Sequence, residues 1–571
     1  MLKFNRKAYR FSESPVLKTH LAPSRSRVVF SLIFLSFLIL LGRAFYLQII
    51  ADKFLQDQGD IRYRRVMESS ASRGSVLDRN GAILAQSTPM MAVWVNNAAD
   101  DLSKEDIRRL SEVLDLDPKF VTKKINLDKS FVVLKRQVSM DMAAEVLALK
   151  LPGVLMDKEY SRFYPTREMT AHVVGFTNQS DIGLEGVELS YNQLLTGVPG
   201  HRTVIKDRRG QIVEEIGSVV LPRDGQDIHL SIDSKIQFIA YSALKNAVEQ
   251  FSAKGGSAIV VDAKTGEVLA LVNEPTYNPN AKQGKSPNNM RNRALVDSFE
   301  PGSTMKPFIV AMALSSGKVK PETMVNCGDK LVIGPATVSD AHPHGMLSVS
   351  QVIQKSSNIG AARLALRFTP EEMHTMFTDA GFGSQPHLGF PGEVGGLLRP
   401  AKKWRPIEQA TMSYGHGLSV SVVQLVKAYT VFANQGKLVE LSLLKKDSND
   451  VIQSQQVFSE KSAEQMLLML ESVVSAEGTA KKAEVIGYRV GGKTGTAHKI
   501  EHGQYVKKYV SSFIGLGPIS SPKLIVGVVI DEPSGAHYGG DVAAPVFSQI
   551  MGESLRTLGI HTDKEISNEN P

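Results

Sequence analysis

The sequence predicts an α+β protein of several domains with one membrane helix near its N-terminus. The chain has 571 residues, which at about 150 residues per domain suggests three to four domains. One long apolar run lies near the N-terminus, and residues 233–553 alternate between patterns typical of strands and of helices. The composition, 42% hydrophobic and 22% charged, excludes wholesale disorder, collagen and coiled coil.

The positive charge of the chain is concentrated at its N-terminus. Residues 1–27 carry seven basic residues against one acidic residue, which is +6 of the total of +8 and leaves +2 for the other 544 residues. A nucleic-acid-binding protein usually carries its basic residues on a folded domain. We therefore predict a basic cytoplasmic tail over residues 1–27 and no nucleic-acid partner.

The apolar run over residues 28–50 predicts a transmembrane helix. Its 23 residues would form a helix of about 34 Å, enough for a hydrocarbon core of ~30 Å. Arg43 is its single charge and lies near one end, within reach of the interface. A buried soluble helix and a cleaved signal peptide are the alternatives, but no A-x-A-like site follows, which favours an uncleaved anchor with a cytoplasmic N-terminus.

Residues 51–230 are predicted to form a non-catalytic, β-rich domain. Short β-like runs at 131–138 and 202–206 alternate with turn signals, and neither a repeat nor a catalytic constellation is recognisable. The single cysteine, Cys327, allows neither an internal disulfide nor a cysteine-based zinc site. Cysteine usage therefore does not decide the compartment.

Residues 231–555 are predicted to form the catalytic domain, followed by a polar tail over residues 556–571. Residues 257–273 resemble two strands joined by a Lys-Thr-Gly turn, and residues 511–530 resemble a second strand pair. Between these pairs lies Phe299-Glu300-Pro301-Gly302-Ser303-Thr304-Met305-Lys306-Pro307, followed by a helical pattern.

Ser303 and Lys306 form the first candidate catalytic pair. Because proline is tolerated in the first turn of a helix, Pro307 predicts a helix that begins near Ser303. Ser303 and Lys306 then lie one turn apart on one face, where a desolvated, neutral lysine can take the proton of the serine hydroxyl.

Two further motifs follow in order, Ser356-Ser357-Asn358 and Lys493-Thr494-Gly495-Thr496. Each motif alone is weak, since decoys occur at Ser315…Lys318, Ser442…Lys445, Ser286-Pro287-Asn288 and Lys264-Thr265-Gly266. One ordered triple combines a serine at a helix start, an S-x-N motif and a K-T-G motif that leads into strands. That combination is specific where each part is not.

The ordered triple resembles the S-x-x-K, S-x-N and K-T-G motifs of the penicillin-binding proteins. From the membrane segment to about residue 555 the chain resembles class B, division-type members, called penicillin-binding protein 3. Further segments support the resemblance: residues 73–81, 162–165, 172–175, 183–188, 299–303 and 413–421. The resemblance implies an elongated β-rich pedestal over 51–230 and a transpeptidase domain over 231–555, with an antiparallel sheet flanked by helices.

The resemblance implies a D,D-transpeptidase that cross-links peptidoglycan. Ser303 would attack the penultimate D-alanine of a stem peptide, and an amine of a neighbouring stem, from diaminopimelate, would take the acyl group. Lys306 would activate Ser303, Ser356 would pass a proton to the leaving amine, and Asn358 would hold the substrate amide and Lys306.

The K-T-G-T segment is implied to bind the substrate. Lys493 and Thr494 would bind its carboxylate, with Gly495 in the same segment and Thr496 assisting. The backbone N–H groups of Ser303 and Thr496 would form the oxyanion hole. β-Lactams should acylate Ser303, and neither a metal nor an organic cofactor is required.

The implied location is the inner membrane, with a single span, a cytoplasmic N-terminus and a periplasmic catalytic domain at the division septum. The implied partners are a septal glycan polymerase and other division proteins, because no glycosyltransferase pattern precedes residue 230. The alternatives that stay open are a D,D-carboxypeptidase or β-lactamase-like hydrolase, a β-lactam sensor and a structural division scaffold.

Three histidines near the predicted cleft raise one more alternative. His416, His498 and His537 are either packing residues or the mark of a stress- or acid-adapted paralogue of the division enzyme, since histidine titrates near pH 6.5.

Overall fold

The computed structural model describes residues 23–96, 102–127, 131–206, 212–281 and 284–564. Most of the predicted basic tail (residues 1–22) and the end of the predicted polar tail (residues 565–571) lie outside the described residues.

The apolar N-terminal run forms one continuous helical segment. Helix α1 (Pro23–Phe45) passes into a π-helical turn over Tyr46–Ile50. The helix begins five residues before the predicted span, at a proline, which suits a first helical turn. No residue of α1 is buried, and within the described part of the chain Pro23–Ile50 is the one helix long and apolar enough to cross a membrane.

The region that follows combines two sheets with short helices, so it contains more helix than the predicted β-rich domain. Its elements are α2 (Asp52–Tyr63), β1 (Arg64–Ser69), β2 (Val76–Leu77), β3 (Ile83–Asn96), α3 (Lys104–Val113), α4 (Pro118–Ile125), β4 (Phe131–Val138), α5 (Met140–Ala148), β5 (Val154–Phe163), α6 (Ala171–Val174), α7 (Gly186–Ser190), α8 (Asn192–Leu195), β6 (Gly200–Lys206), β7 (Ile212–Val220) and β8 (Ile228–His229). The two β-like runs noted in the sequence are β4 and β6.

The two sheets of this region have different strand orders. One has the order β1-β6-β7, and the other has the order β4-β3-β2-β8, with β5 also paired to β3. A buried ion cluster holds the second sheet to the short helices: Arg73 Nε and Arg162 Nε each lie 2.6 Å from the Glu188 carboxylate, with all three side chains at most 2% exposed. These residues come from three of the segments on which the family resemblance rests.

The C-terminal region is built around one five-stranded sheet. Its elements are α9 (Ser234–Gln250), β9 (Gly255–Asp262), β10 (Val268–Glu274), α10 (Pro287–Met290), α11 (Arg293–Val296), α12 (Lys306–Ser315), β11 (Met324–Asn326), β12 (Leu331–Ile333), β13 (Ala336–Val338), β14 (Met346–Ser348), α13 (Val349–Gln354), α14 (Asn358–Ala365), α15 (Pro370–Asp379), α16 (Pro406–Met412), α17 (Val422–Ala433), β15 (Lys437–Val439), β16 (Ser454–Gln456), α18 (Glu460–Val474), β17 (Gly491–Glu501), β18 (Gln504–Gly517), β19 (Leu524–Asp531) and α19 (Gly539–Thr557).

The sheet has the order β10-β9-β19-β18-β17, and all its neighbouring strands are antiparallel. Helices cover both of its faces. A Cβ on Gly515 would lie 2.6 Å from the Phe547 ring of α19, whereas a Cβ on Gly527 would lie 2.5 Å from Val426 of α17. With both faces buried, the strands are almost continuously apolar. The predicted α+β organisation, with one N-terminal apolar helix, is confirmed.

Candidate active site

Ser303 lies in a tight turn that leads into α12. A 3₁₀ turn over Gly302–Met305 passes directly into the helix, whose first turn contains Pro307. Ser303 and Lys306 are one turn apart, and Lys306 Nζ lies 2.9 Å from Ser303 Oγ. The sequence spacing therefore produces the predicted contact.

Two neighbours hold this turn in place. Gly302 N donates to the carbonyl of Gly415 at 3.2 Å, and a Cβ on Gly415 would lie only 2.1 Å from the Gly302 oxygen. Gly415 also has φ +84°, so glycine is required there for both reasons. On the other side, the buried Tyr429 of α17 donates its hydroxyl to the carbonyl of Thr304 at 2.8 Å.

Ser356 lies between α13 and α14 and faces the lysine. Its φ of +60° is unusual for a residue with a side chain, and such conformations concentrate at functional sites. Ser356 Oγ accepts hydrogen bonds from Lys306 Nζ at 3.0 Å and from Lys493 Nζ at 2.9 Å. The Ser356 carbonyl also accepts from Lys306 Nζ. One serine thus connects the first and third motifs.

The K-T-G-T segment lies on β17, the edge strand of the sheet, which pairs only with β18 among the described strands. Lys493 Nζ also lies 3.3 Å from Thr494 Oγ1. Gly495 allows a close approach, because a Cβ there would lie 2.8 Å from the Pro301 carbonyl and closer still to Ser512. Thr496 Oγ1 accepts from Gly539 N at 3.0 Å, so this hydroxyl already ties β17 to the start of α19.

Lys306 and Lys493 are both fully buried. Burial, and then the charge of Lys493, lower the pKa of Lys306 well below its usual 10.5, while Asp340 acts in the opposite direction. Burial also lowers the pKa of Lys493 to about 7. Lys306 Nζ has three oxygen neighbours, Ser303 Oγ and the hydroxyl and carbonyl oxygens of Ser356. A neutral amine can donate two N–H groups to Ser356 and keep one lone pair for the Ser303 hydroxyl.

Asp340 anchors the second motif by hydrogen bonds, and the sequence analysis did not identify it. Its carboxylate accepts from the Ser357 hydroxyl and from the backbone N–H groups of Asn358 and Ile359, at the start of α14. These contacts stabilise the N-terminus of the helix and fix the loop that carries Ser356. No spacing rule marks this aspartate, since it lies 16 or more positions before the motif in an irregular loop.

We expect Asp340→Ala to destabilise the protein and to slow acylation together. Two backbone N–H groups and one buried hydroxyl would lose their acceptor, at a cost of about 1–3 kcal/mol. Thermal unfolding of the full chain in detergent should show a melting temperature lower by several degrees. Asp157→Ala is the matched control, because Asp157 is exposed on β5, does not line the cavity around Ser303 and should change little. Equal melting temperatures for the two variants would contradict the anchoring role of Asp340.

A cavity of about 770 Å³ is lined by five of the eight predicted site residues, while Lys306, Lys493 and Gly495 are buried behind its surface. The five are Ser303, Ser356, Asn358, Thr494 and Thr496. The Asn358 side chain donates to the Ser339 carbonyl at 3.1 Å, and the hydrogen bonds found for Lys306 among the described residues do not include Asn358. Its predicted contact with the substrate amide stays a prediction.

The three histidines singled out in the sequence all line this cavity, together with His342 and His344. Burial lowers the pKa of His416 below 6.5, and the Glu300 carboxylate opposes this shift. His537 stacks on Tyr509 with ring centroids 4.1 Å apart. The acid-adaptation hypothesis stays a prediction.

The decoy motifs have ordinary structural contacts. Ser315 bonds to Ser462, Lys318 donates to the Arg367 carbonyl, and Lys264 donates to the Ala433 carbonyl. Ser286 caps the short helix α10. None of these residues lines the cavity around Ser303.

Comparison with known proteins places both halves of the chain in one family. The family model described as penicillin binding protein transpeptidase domain matches residues 256–552, and the model described as penicillin-binding protein dimerisation domain matches residues 68–230.

Whole-chain relatives agree with these matches. The chain is 42% identical over 553 residues to a protein of Neisseria gonorrhoeae named "Probable peptidoglycan D,D-transpeptidase PenA", covering 95% of each chain. It is 40% identical over 543 residues to the peptidoglycan D,D-transpeptidase FtsI of Escherichia coli, covering 93% of this chain and 91% of the relative. Among solved structures, the apo TP domain of penicillin-binding protein 3 from Burkholderia pseudomallei is 49% identical, with a TM-score of 0.55, over 59% of this chain and 98% of that one.

Proposed function

The chain belongs to the class B, division-type penicillin-binding proteins, which are peptidoglycan D,D-transpeptidases, and on this premise we propose that Ser303 is the nucleophile with which it cross-links stem peptides of septal cell wall. The family resemblance drawn from the sequence motifs is confirmed, as is the transpeptidase assignment. The observation that carries the residue roles is the hydrogen-bonded chain from Ser303 through Lys306 and Ser356 to Lys493.

Acylation begins when the neutral Lys306 amine takes the proton of the Ser303 hydroxyl at 2.9 Å. Ser303 Oγ attacks the carbonyl carbon of the penultimate D-alanine, and the peptide bond to the terminal D-alanine breaks. Ser356 has both lone pairs directed at lysine N–H groups, so its own proton is free for the leaving amine. Lys306 then returns a proton to Ser356 and is neutral again.

Lys493 supplies the charge that binds the substrate carboxylate. With a pKa of about 7, the buried ammonium is half protonated near neutral pH in the free protein, and an anionic ligand favours the protonated form. Thr494 lies beside it with a hydroxyl that donates to the same carboxylate. The open edge of β17 supplies the Thr496 N–H, which together with the Ser303 N–H stabilises the oxyanion.

The membrane segment and the family indicate where this chemistry takes place. The chain is a single-pass membrane protein with a periplasmic catalytic domain, and its family binds peptidoglycan stem peptides and β-lactams. Within the proposal, the enzyme acts at the septum with a glycan polymerase and other division proteins. No cofactor takes part in the proposed steps.

The proposal is tested with the full-length protein in detergent. A fluorescent penicillin should label one residue, Ser303 by peptide mapping, and the label should be released slowly. A thioester donor with D-alanine as acceptor should then give the transfer product. Label on another residue would reject the assignment of Ser303, and release as fast as acylation would favour the hydrolase. A fluorescent fusion spread evenly over the envelope, rather than collected at midcell, would contradict the septal role.

A further inference from the structure

We propose that His416, oriented by Glu300, is the general base of the second half-reaction, where it takes the proton of the attacking amine. The inference rests on the proposed transpeptidase function and adds a residue to it. His416 lines the same cavity as Ser303, and its side chain is 30% exposed, so its ring can reach a bound acceptor.

Backbone pairing fixes His416 next to the nucleophile. Phe299 and Val420 exchange two backbone hydrogen bonds of 3.0 Å, and Gly302 N donates to Gly415 O. The segment that carries Ser303 and the segment that carries His416 therefore run side by side. His416 directly follows the glycine that touches the turn of the nucleophile.

A buried carboxylate stands behind the ring. Glu300 is 8% exposed, and its Oε2 lies 3.7 Å from His416 Nδ1. The carboxylate is itself held, because Oε1 accepts from Gly417 N at 2.8 Å and both oxygens lie within 3.2 Å of the Tyr505 hydroxyl. A carboxylate near Nδ1 favours the tautomer that carries its proton on Nδ1. The other ring nitrogen, Nε2, then points away from Glu300 and has a free lone pair. The 3.7 Å contact can tighten when substrate binds.

Ser356 and His416 serve different amines. Ser356 Oγ accepts from Lys306 and Lys493, and its proton goes to the amine that leaves during acylation. The reverse of that step would take the same amine through Ser356. An acceptor amine that enters from the part of the cavity lined by His416 gives its proton to His416 instead.

The step balances without any further reactant. The acceptor nitrogen forms a bond to the carbonyl carbon of the acyl-enzyme and gives one proton to His416 Nε2. The bond from that carbon to Ser303 Oγ then breaks, and His416 returns the same proton to Oγ. The product amide leaves, and His416 and Ser303 regain their starting forms.

The charges around His416 set the direction of its pH response. The groups that face it are Glu300, Lys306, Tyr414, His498 and Tyr505, with Arg399 beside the following Gly417. Burial lowers the pKa of His416 and Glu300 raises it, while Lys306 and His498 lower it only when they are protonated. The ring is therefore neutral at pH 7 and loses its free lone pair only at a pH below about 6.5.

The test separates the two half-reactions in the full-length protein. Acylation is measured with benzylpenicillin, and transfer is measured from an acyl-enzyme, preformed with a thioester donor, to the side-chain amine of a diaminopimelate-containing peptide. His416→Gln should leave acylation within about twofold and slow transfer about 10²-fold. Glu300→Gln, which keeps an oxygen for Gly417 N, should also slow transfer selectively. His374→Gln is the matched control, since His374 packs on Trp404 outside the cavity.

The pH profile gives a readout that a packing role would not change. The rate ratio of wild type to His416→Gln for transfer should fall towards one as the wild-type ring becomes protonated, and the lowered pKa of His416 places that fall on the acid side of pH 6.5. Unchanged transfer in His416→Gln, with acylation intact, would overturn the inference and return the proton route to Ser356. If the wild-type protein were not acylated by benzylpenicillin at all, the proposed function itself would be refuted.

Discussion

Replacing Ser303 by alanine is expected to reduce penicillin acylation by about 10⁴-fold or more and to leave stability unchanged. The nucleophile would be lost, and effects of this size follow when a nucleophile of a coupled set is removed. The hydroxyl contacts only the Lys306 amine among the hydrogen bonds of the described residues, so its loss removes little from the fold. The measurement is the second-order rate constant of labelling by a fluorescent penicillin, with the melting temperature beside it.

The chain supplies its own control for this substitution. Ser315 lies three residues before Lys318, in the same S-x-x-K spacing, but bonds to Ser462 outside the cavity. Ser315→Ala should label like the wild type. Acylation of Ser303→Ala at a rate within tenfold of the wild type would contradict the assignment of the nucleophile.

Lys306→Met and Lys306→Arg are both expected to slow acylation by about 10²–10⁴-fold. Methionine has no base, and the guanidinium of arginine does not lose its proton in this pH range. The arginine variant matters most, because it places a permanent cation beside Ser303 and Ser356 and removes the neutral amine. Retention of activity in Lys306→Arg would show that charge, rather than proton transfer, is required.

Lys306→Met should not lower the stability of the fold. Because the pKa of Lys306 is depressed, its folded form binds fewer protons than the unfolded chain below pH 10.5, and this lowers stability as the pH falls towards 7. Methionine removes that penalty, although Ser356 loses two hydrogen bonds, one to its hydroxyl and one to its carbonyl. We expect the melting temperature of Lys306→Met to equal or exceed that of the wild type, with Lys461→Met, at an exposed position of α18, as control.

Local sequence signals were sufficient for some of the site. Ser303 and Lys306 are three residues apart, so a helix start alone brings them into contact. Ser356 and Lys493 lie 53 and 190 residues beyond Ser303, and no periodicity relates such distant positions. Their place near Ser303 came from the family resemblance, not from spacing.

Other features depend on tertiary contacts that leave no pattern in the sequence. Asp340 accepts hydrogen bonds from the backbone N–H groups of Asn358 and Ile359. Every residue except proline has such a group, so the sequence around Asp340 does not distinguish it from an ordinary loop aspartate. The hydroxyl of Thr496 also accepts from Gly539 N, a contact between strand and helix that no sequence pattern indicates, and its predicted assisting role at the substrate stays a prediction. The N-terminal domain has helices such as α3 and α5 because they cover the sheet at β3 and β4, which strand propensity alone does not reveal.

The most direct test of the account is the pH dependence of acylation by benzylpenicillin, followed from pH 5 to pH 10. If Lys306 is a neutral amine held so by burial and by Lys493, the rate is near its maximum around pH 7. It then falls on the acid side as Lys306 is protonated, and it declines on the alkaline side as Lys493 loses the charge that binds the carboxylate. If the rate instead rises about tenfold per pH unit from pH 7 to pH 10, Lys306 is an ordinary ammonium and the proposed activation of Ser303 is wrong.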